Sequence, residues 1–391
     1  MFAGLSQAEA GGRLNVYINS TGAFLPGPAV TNDEMEDILG LVDGKKSRLR
    51  RRILKANGIE TRHYAINKDH ETLYSASELG ALAGKNCLEK SALSLEQVKM
   101  LSCATTQGDM VIPGFGSMVQ AELGMSGIEL HTTHGVCTCS SMAIKAAYNN
   151  IRVGDQPNAL VVVSELASRL FKNTRYEAAG SSKAIDFNAE FLRWMLSDGA
   201  GAMLLEAKPR GRCLRIDWIR SFSHADAYPV CMGIGATADA AEQRTWQDFA
   251  TYAEAEAHGA LLIRQDVRLL ENIVKLGVDG ALRLIEEGVL EIDKIDHLLC
   301  HYSSHHFKSL IYDMLDMAGA RIPEEKWYSN LYTRGNTGSA SILIMLDEFL
   351  SLGKANLGDT IVCMVPESGR FNTAYIQLTV VHEDRKAENN A

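Results

Sequence analysis

The chain has 391 residues, with 39 Lys and Arg against 48 Asp and Glu, a formal net charge of -9 and an apolar fraction of 46%. That length supports one large or two ordinary domains, the apolar share excludes a disordered chain, and the acidic balance argues against a general nucleic-acid binder. Met1–Leu14 lacks a basic stretch followed by a long apolar core, and no apolar run approaches the length needed to cross a bilayer. The expectation is a cytoplasmic protein whose eight scattered cysteines, free of CxxC pairs, stay reduced.

In chain order, Val16–Phe24 reads as a strand, and Asn32–Leu41, Ser75–Leu88 and Gly114–Leu123 as helices, the last stopped by Gly124. A helix headed by Cys139 follows, then Ala159–Ser164, continuously apolar as a strand buried on both faces would be. Gly199–Glu206 closes a first half and Arg212–Ser221 opens a second. Phe222–His258 has little periodicity and reads as loops over a site. Beyond it come a long helical region over Ile263–Gly288, strands at Ile295–Cys300, Thr360–Val365 and Thr373–Val381, and a polar tail, Glu383–Ala391.

The chain resembles itself. Leu93–Thr106 has the pattern of Leu290–Ser303, at an offset of 300 − 103 = 197 between Cys103 and Cys300. Cys139–Gly154 with the strand after it parallels Gly338–Gly353 with Thr360–Val365, at an offset of 353 − 154 = 199. Two pseudo-equivalent α/β halves are expected, over 13–208 and 209–385.

Cys139, followed by Ser140 and Ser141, stands where a helix begins. There the serines can cap free N–H groups, the macrodipole favours thiolate, and backbone donors can hold an oxyanion. The residue reads either as a nucleophile or as a buried structural cysteine. Pseudo-twofold packing would bring His301, just after a strand, and Asn336, just before a helix, to the same place. Each alone has a plain alternative, a packing histidine or a capping asparagine. Together with a thiol they suit acyl-thioester chemistry, in which a soft nucleophile takes the acyl group and neutral donors stabilise an enolate or oxyanion. Cys137, Cys139, His131 and His134 are too crowded for a structural zinc site, so no metal is expected.

Together with Cys139 heading its helix, His301 and Gly335-Asn336-Thr337, four further stretches carry a family resemblance: Gly58-Ile-Glu-Thr-Arg-His63, Cys103-Ala-Thr-Thr106, Leu196-Ser-Asp-Gly-Ala-Gly-Ala202 and Glu367-Ser-Gly-Arg-Phe371. In their order and spacing, from about Val16 to Val381, the chain resembles a β-ketoacyl-acyl carrier protein synthase III of the thiolase superfamily. The resemblance implies a five-layered αβαβα fold and a homodimer. It implies a Cys139–His301–Asn336 triad, with the backbone N–H groups of Cys139 and Gly369 forming an oxyanion hole. No cofactor is implied beyond the acyl-CoA or acyl carrier protein thioesters that serve as substrates.

Several positions depart from the initiating enzymes of that family. Arg52 and Ala56 stand where an adenine clamp is usual, Ser304 replaces an Asn after the histidine, and Ile112, before Pro113, aligns with a gating phenylalanine from the partner subunit. Such departures resemble relatives that join two acyl chains, including the dialkylresorcinol-forming group. The expected reaction is C–C bond formation between a Cys-bound acyl chain and a second acyl or β-ketoacyl thioester. The alternatives are the initiating synthase, acyl transfer to oxygen or nitrogen, and a non-catalytic partner subunit. The basic stretch Lys45–Arg52, with Arg48, Arg50, Arg51 and Arg52, is either a solvated helix face or a docking patch for CoA phosphates or an acidic carrier protein.

Overall fold

The computed structural model describes residues 12–180, 186–239 and 242–383. Ten strands carry it: β1 (Tyr17–Phe24), β2 (Met100–Thr105), β3 (Glu129–His134), β4 (Asn158–Glu165), β5 (Gly199–Glu206), β6 (Arg212–Ser223), β7 (His297–Cys300), β8 (Trp327–Tyr328), β9 (Thr360–Glu367) and β10 (Asn372–His382). They pair in the order β8-β7-β9-β10-β6-β1-β5-β4-β2-β3. Read outward from the centre, each half has the same order: first strand, fifth, fourth, second, third. The second, third and fourth strands of each half run parallel, and the fifth and first are antiparallel. In the sheet the halves pair where Tyr17 and Ile18 of β1 meet Arg215 and Leu214 of β6, and a bridge between Leu196 and Asn336 links them again.

Six principal helices complete the layers: α1 (Ala76–Glu89), α2 (Phe115–Leu123), α3 (Cys139–Arg152), α4 (Leu270–Glu286), α5 (His305–Met317) and α6 (Ser341–Ser351). α1 and α2 cover the outer face of the first half, and α4 and α5 that of the second. α3 and α6 lie between the sheets, their Ala143, Ala147, Ile344 and Phe349 sharing one core with Val161, Leu205, Ile361 and Ile376. This is the five-layered α/β arrangement. β4 and β5 are buried at every residue, which is why both read as unbroken apolar runs. Gly201 permits the middle layer to close, because a Cβ there would fall 2.5 Å from Leu343 Cβ of α6. Among the described residues no helix is long and apolar enough to cross a membrane.

Three expected elements differ. The helix expected over Asn32–Leu41 shrinks to Met35–Leu39, because Val30–Thr31 pairs with Thr61–Arg62 before it and Gly40 turns to φ +80° after it. The helical region expected from Ile263 begins only at Leu270. Arg264–Gln265 pairs with Met232–Gly233, and the Asp266 side chain then accepts from Arg268 N. The loops expected over Phe222–His258 carry short pieces at Trp246–Asp248 and Tyr252–Ala257. Most of the expected polar tail and of Met1–Leu14 lies outside the described residues.

Candidate active site

Between the halves lies a cavity of about 1080 Å³ of non-atom space, counting the part open to solvent. Its walls are apolar: Leu166 and Leu170 beyond β4, Phe191 and Met195, Met232 and Ile234 from the loop region, Ile273 and Val274 of α4, and Phe307 and Ile311 of α5. At one end the polar groups gather: Cys137, Glu165, His301 and Asn336 all line it.

His301 follows β7, and its backbone N–H donates to Met364 O at 2.9 Å. Its Nε2 lies 3.3 Å from the Sγ of Cys137. Burial lowers the imidazole to about 4, so it is neutral near pH 7 and free to take a proton from a thiol. Asn336 is also buried. Its Oδ1 accepts from Gly338 N at 3.1 Å, which turns the NH2 end into the one available to the cavity. The backbone before it is fixed by Gly335, at φ +76° and ψ -175°, a conformation close to glycine-only, where a Cβ would sit 2.6 Å from Ser197 Oγ and 2.8 Å from Arg62 Cβ. Gly335→Ala should therefore cost roughly 1–3 kcal/mol of stability and displace Asn336. A thermal unfolding curve paired with turnover checks this, the expected result being a loss of turnover beyond what the unfolded fraction accounts for.

The structure brings His301 and Asn336 together but puts Cys137 with them, not Cys139. Cys139 is 2% exposed, belongs to the inter-sheet core, and backs onto a separate cleft beside His134, Met142 and Phe222. The cause is helical phase. α3 begins at Cys139, so this side chain already follows the helix inward, while Cys137 sits in the preceding turn with its side chain still outside the helix. The serines do not cap as expected either: Ser140 Oγ donates to Cys137 O at 2.9 Å, and Ser141 Oγ is buried without a partner among the described residues. Nor is the cysteine pair a resting thiolate. Burial, with the carboxylates of Glu367 and Glu165 adding to it at Cys137, pushes both thiols well up.

The expected oxyanion donors change in the same way. Cys139 N–H is spent on Val136 O at 3.1 Å, whereas the N–H of Cys137 bears only on its own sulfur and that of Gly369 takes no backbone acceptor among the described residues. Gly369 packs on the cysteine turn so closely that a Cβ would fall 2.8 Å from Val136 Cγ2. Glu367, quoted in its motif without a role, ties the two turns together. Its Oε2 accepts from Thr138 N at 3.0 Å and from Thr138 Oγ1, and its Oε1 from Asn372 Nδ2 at 2.9 Å.

Ser304 is buried outside the cavity lining, and its hydroxyl donates to Ala56 O at 3.1 Å, holding the helix Arg50–Asn57 instead of shaping a tunnel. Ile112 is 79% exposed and lines no part of this chain's cavity. In the basic stretch, Arg50 is taken by Glu36 at 2.5 Å and Asp33 at 3.2 Å. Arg48, Arg51 and Arg52 remain exposed, with the Arg52 guanidinium 5.9 Å from the centre of the Phe187 ring. Glu165 was missed by the sequence reading, since one Glu ending an apolar strand reads as a strand end.

Residues 285–371, which include His301, Asn336 and Gly369, match the family model for the C-terminal part of 3-oxoacyl-[acyl-carrier-protein] synthase III. The chain is 23% identical over 350 residues to a β-ketoacyl-[acyl-carrier-protein] synthase III of Clostridium acetobutylicum, covering 89% of this chain and 94% of that one. Over nearly nine-tenths of its length the chain is similar to synthase III enzymes. As a fold, the chain superposes on AbyA1, a tetronic acid condensing enzyme, with a TM-score of 0.73, 19% identity, and 93% and 99% of the two chains covered. A Xanthomonas campestris OleA variant with bound lauric acid and lauroyl-CoA gives 0.71 at 18% identity, covering 93% and 99%.

Proposed function

We propose that this condensing enzyme forms a C–C bond between an acyl chain held on Cys137 and the α-carbon of a second acyl or β-ketoacyl thioester. The observation that carries the reading is the 3.3 Å approach of His301 Nε2 to Cys137 Sγ, with Asn336, at the polar end of an apolar cavity. In the first half-reaction Cys137 Sγ attacks the incoming thioester. Its proton passes to His301 Nε2 and leaves on the departing thiol, while the N–H groups of Cys137 and Gly369 hold the oxyanion. In the second, the α-carbon of the other thioester loses a proton or carbon dioxide, and the Asn336 amide and His301, now in its Nε2–H tautomer, donate to the carbonyl oxygen of the resulting enolate. The enolate carbon attacks the Cys137 acyl carbon, the C–S bond breaks, and the thiol is restored.

A cavity walled by Leu, Ile, Val, Met and Phe suits alkyl chains longer than acetyl, which favours specialised fatty-acid-derived products of the dialkylresorcinol kind over the initiation of bulk synthesis. The exposed run Met110-Val111-Ile112 fits a homodimer in which Ile112 reaches a second copy's site. Incubation with mixed acyl-CoA and carrier-bound thioesters, read by mass spectrometry, tests the whole reading. A C–C linked product supports it, and a transferred acyl group alone overturns it.

The donor is delivered past the basic helix. Reversing Arg51 and Arg52 to Glu should lower kcat/KM for a carrier-bound or CoA donor and flatten its salt dependence, since such steering is screened over about 10 Å at 0.1 M salt. A short uncharged thioester should be used as before, and turnover at saturation should change little. Equal rates of the variant and the parent on the charged donor would show the patch to be a solvated face.

A further inference from the structure

Glu165 has no part in the two half-reactions above, yet it is a buried carboxyl lining the same cavity as Cys137, His301 and Asn336. It ends β4, and three donors converge on one of its oxygens: Thr106 N at 2.9 Å, Thr106 Oγ1 at 2.7 Å, and Ser339 Oγ all reach Oε1. The other oxygen takes none of these bonds. A carboxyl clamped between the two halves by Thr106 and Ser339, whose backbone N–H bonds it as well, and lining an apolar cavity, can hold or release a proton there.

We propose that Glu165 is the base that removes the α-proton of the second thioester, so that the condensation runs without loss of carbon dioxide. This rests on the condensation reading above. The carboxylate of Glu165 takes the proton from the α-carbon, and the electron pair left behind becomes the enolate held by Asn336 and His301. The new C–C bond forms as the acyl C–S bond breaks. The proton then returns from Glu165 to the departing Cys137 thiolate, so the carboxylate and the thiol are both regenerated, and no other reactant is required.

Burial raises Glu165 to about 7, against the side-chain and backbone hydrogen bonds of Ser339 and Thr106, which lower it. That range lets a carboxylate abstract a weakly acidic proton better than an ordinary one would. The titratable groups facing it are Cys137 and Cys139 from the turn and head of α3, His301 after β7, and Glu367 ending β9. Burial holds both thiols well up and the imidazole at about 4, so neither shares that window.

The test uses the full chain with Cys137 acylated in a single turnover, and a non-carboxylated acyl-CoA as donor in deuterated water. Two readouts are taken by mass spectrometry: α-deuterium entering the donor, and C–C product. Glu165→Gln should leave acylation of Cys137 near the parent rate and lower both readouts by about 10²–10⁴-fold, with Glu165→Asp recovering part. In the parent, exchange should rise with pH through a midpoint near 7, the value to which burial raises this carboxyl. Ser339→Ala, which removes a donor to the ionised form, should move that midpoint upward. Exchange unchanged in Glu165→Gln, or acylation falling as far as condensation, would overturn the role and leave Glu165 a structural clamp. Acylation without any C–C product in the parent would refute the condensation reading itself, and this role with it.

Discussion

Cys137→Ala should abolish acyl labelling and product formation, while Cys139→Ala should keep both and lose only stability, on the order of 1 kcal/mol, as a small core truncation. Only the Cys137 thiol shares the cavity with His301 and Asn336; Cys139 contributes its side chain to the packing between the sheets. Peptide mapping after incubation with an acyl thioester reads the outcome directly. Label on Cys139 with Cys137 unmodified would reverse the assignment, and it would require the α3 helix to unwind at its first residue.

The second large effect separates the two half-reactions. Asn336→Ala should leave single-turnover acylation of Cys137 close to the parent and lower condensation by about 10²–10³-fold, equal to roughly 3–4 kcal/mol of lost oxyanion or enolate stabilisation. His301→Ala should impair both steps, because Nε2 faces the thiol and also serves the second carbonyl. With the imidazole held at about 4, the parent's acylation rate should stay free of a histidine limb from pH 5 upward and fall only as the pH drops through that value, where the ring becomes cationic and can no longer take the thiol's proton. Burst amplitude measured beside steady-state product formation distinguishes these cases. Equal loss in both steps for Asn336→Ala would remove it from the enolate site.

Much of this was legible in the chain. The strands β4 and β5 announced themselves because burial on both faces writes an unbroken apolar run, and Ser75 and Gly124 marked the ends of α1 and α2 by capping box and left-handed turn. His301 and Asn336 were found because each sits where a strand or turn of the second half meets the repeat of the first. The cysteine beside His301 lies two residues before the one expected, because helix entry favours whichever cysteine lies in the first turn. The repeat held the corrective: the offset of 199 that matches Gly154 to Gly353 also matches Cys137 to Asn336, since 336 − 137 = 199. Residues related by the repeat meet at one site, and Cys139 maps onto Gly338 in the turn before α6, not onto Asn336. Glu165 and Ser304 left no such trace. Their roles depend on partners 174 and 248 residues away, Ser339 and Ala56, which no local pattern encodes.

The strand order has a consequence for how the chain reaches its native state. In the first half the first strand made is also the one that waits longest, because β1 pairs with β5, and Tyr17 finds Glu206 only after 206 − 17 = 189 further residues have been synthesised. β4, buried on both faces in the finished protein, therefore emerges from the ribosome as an open, adhesive edge. Pairings this distant in sequence make for slow folding and a long exposure of such edges. Since Cys137 belongs to the first half, and His301 and Asn336 to the second, chemical competence is the last property the nascent chain acquires, long after most of its secondary structure is in place.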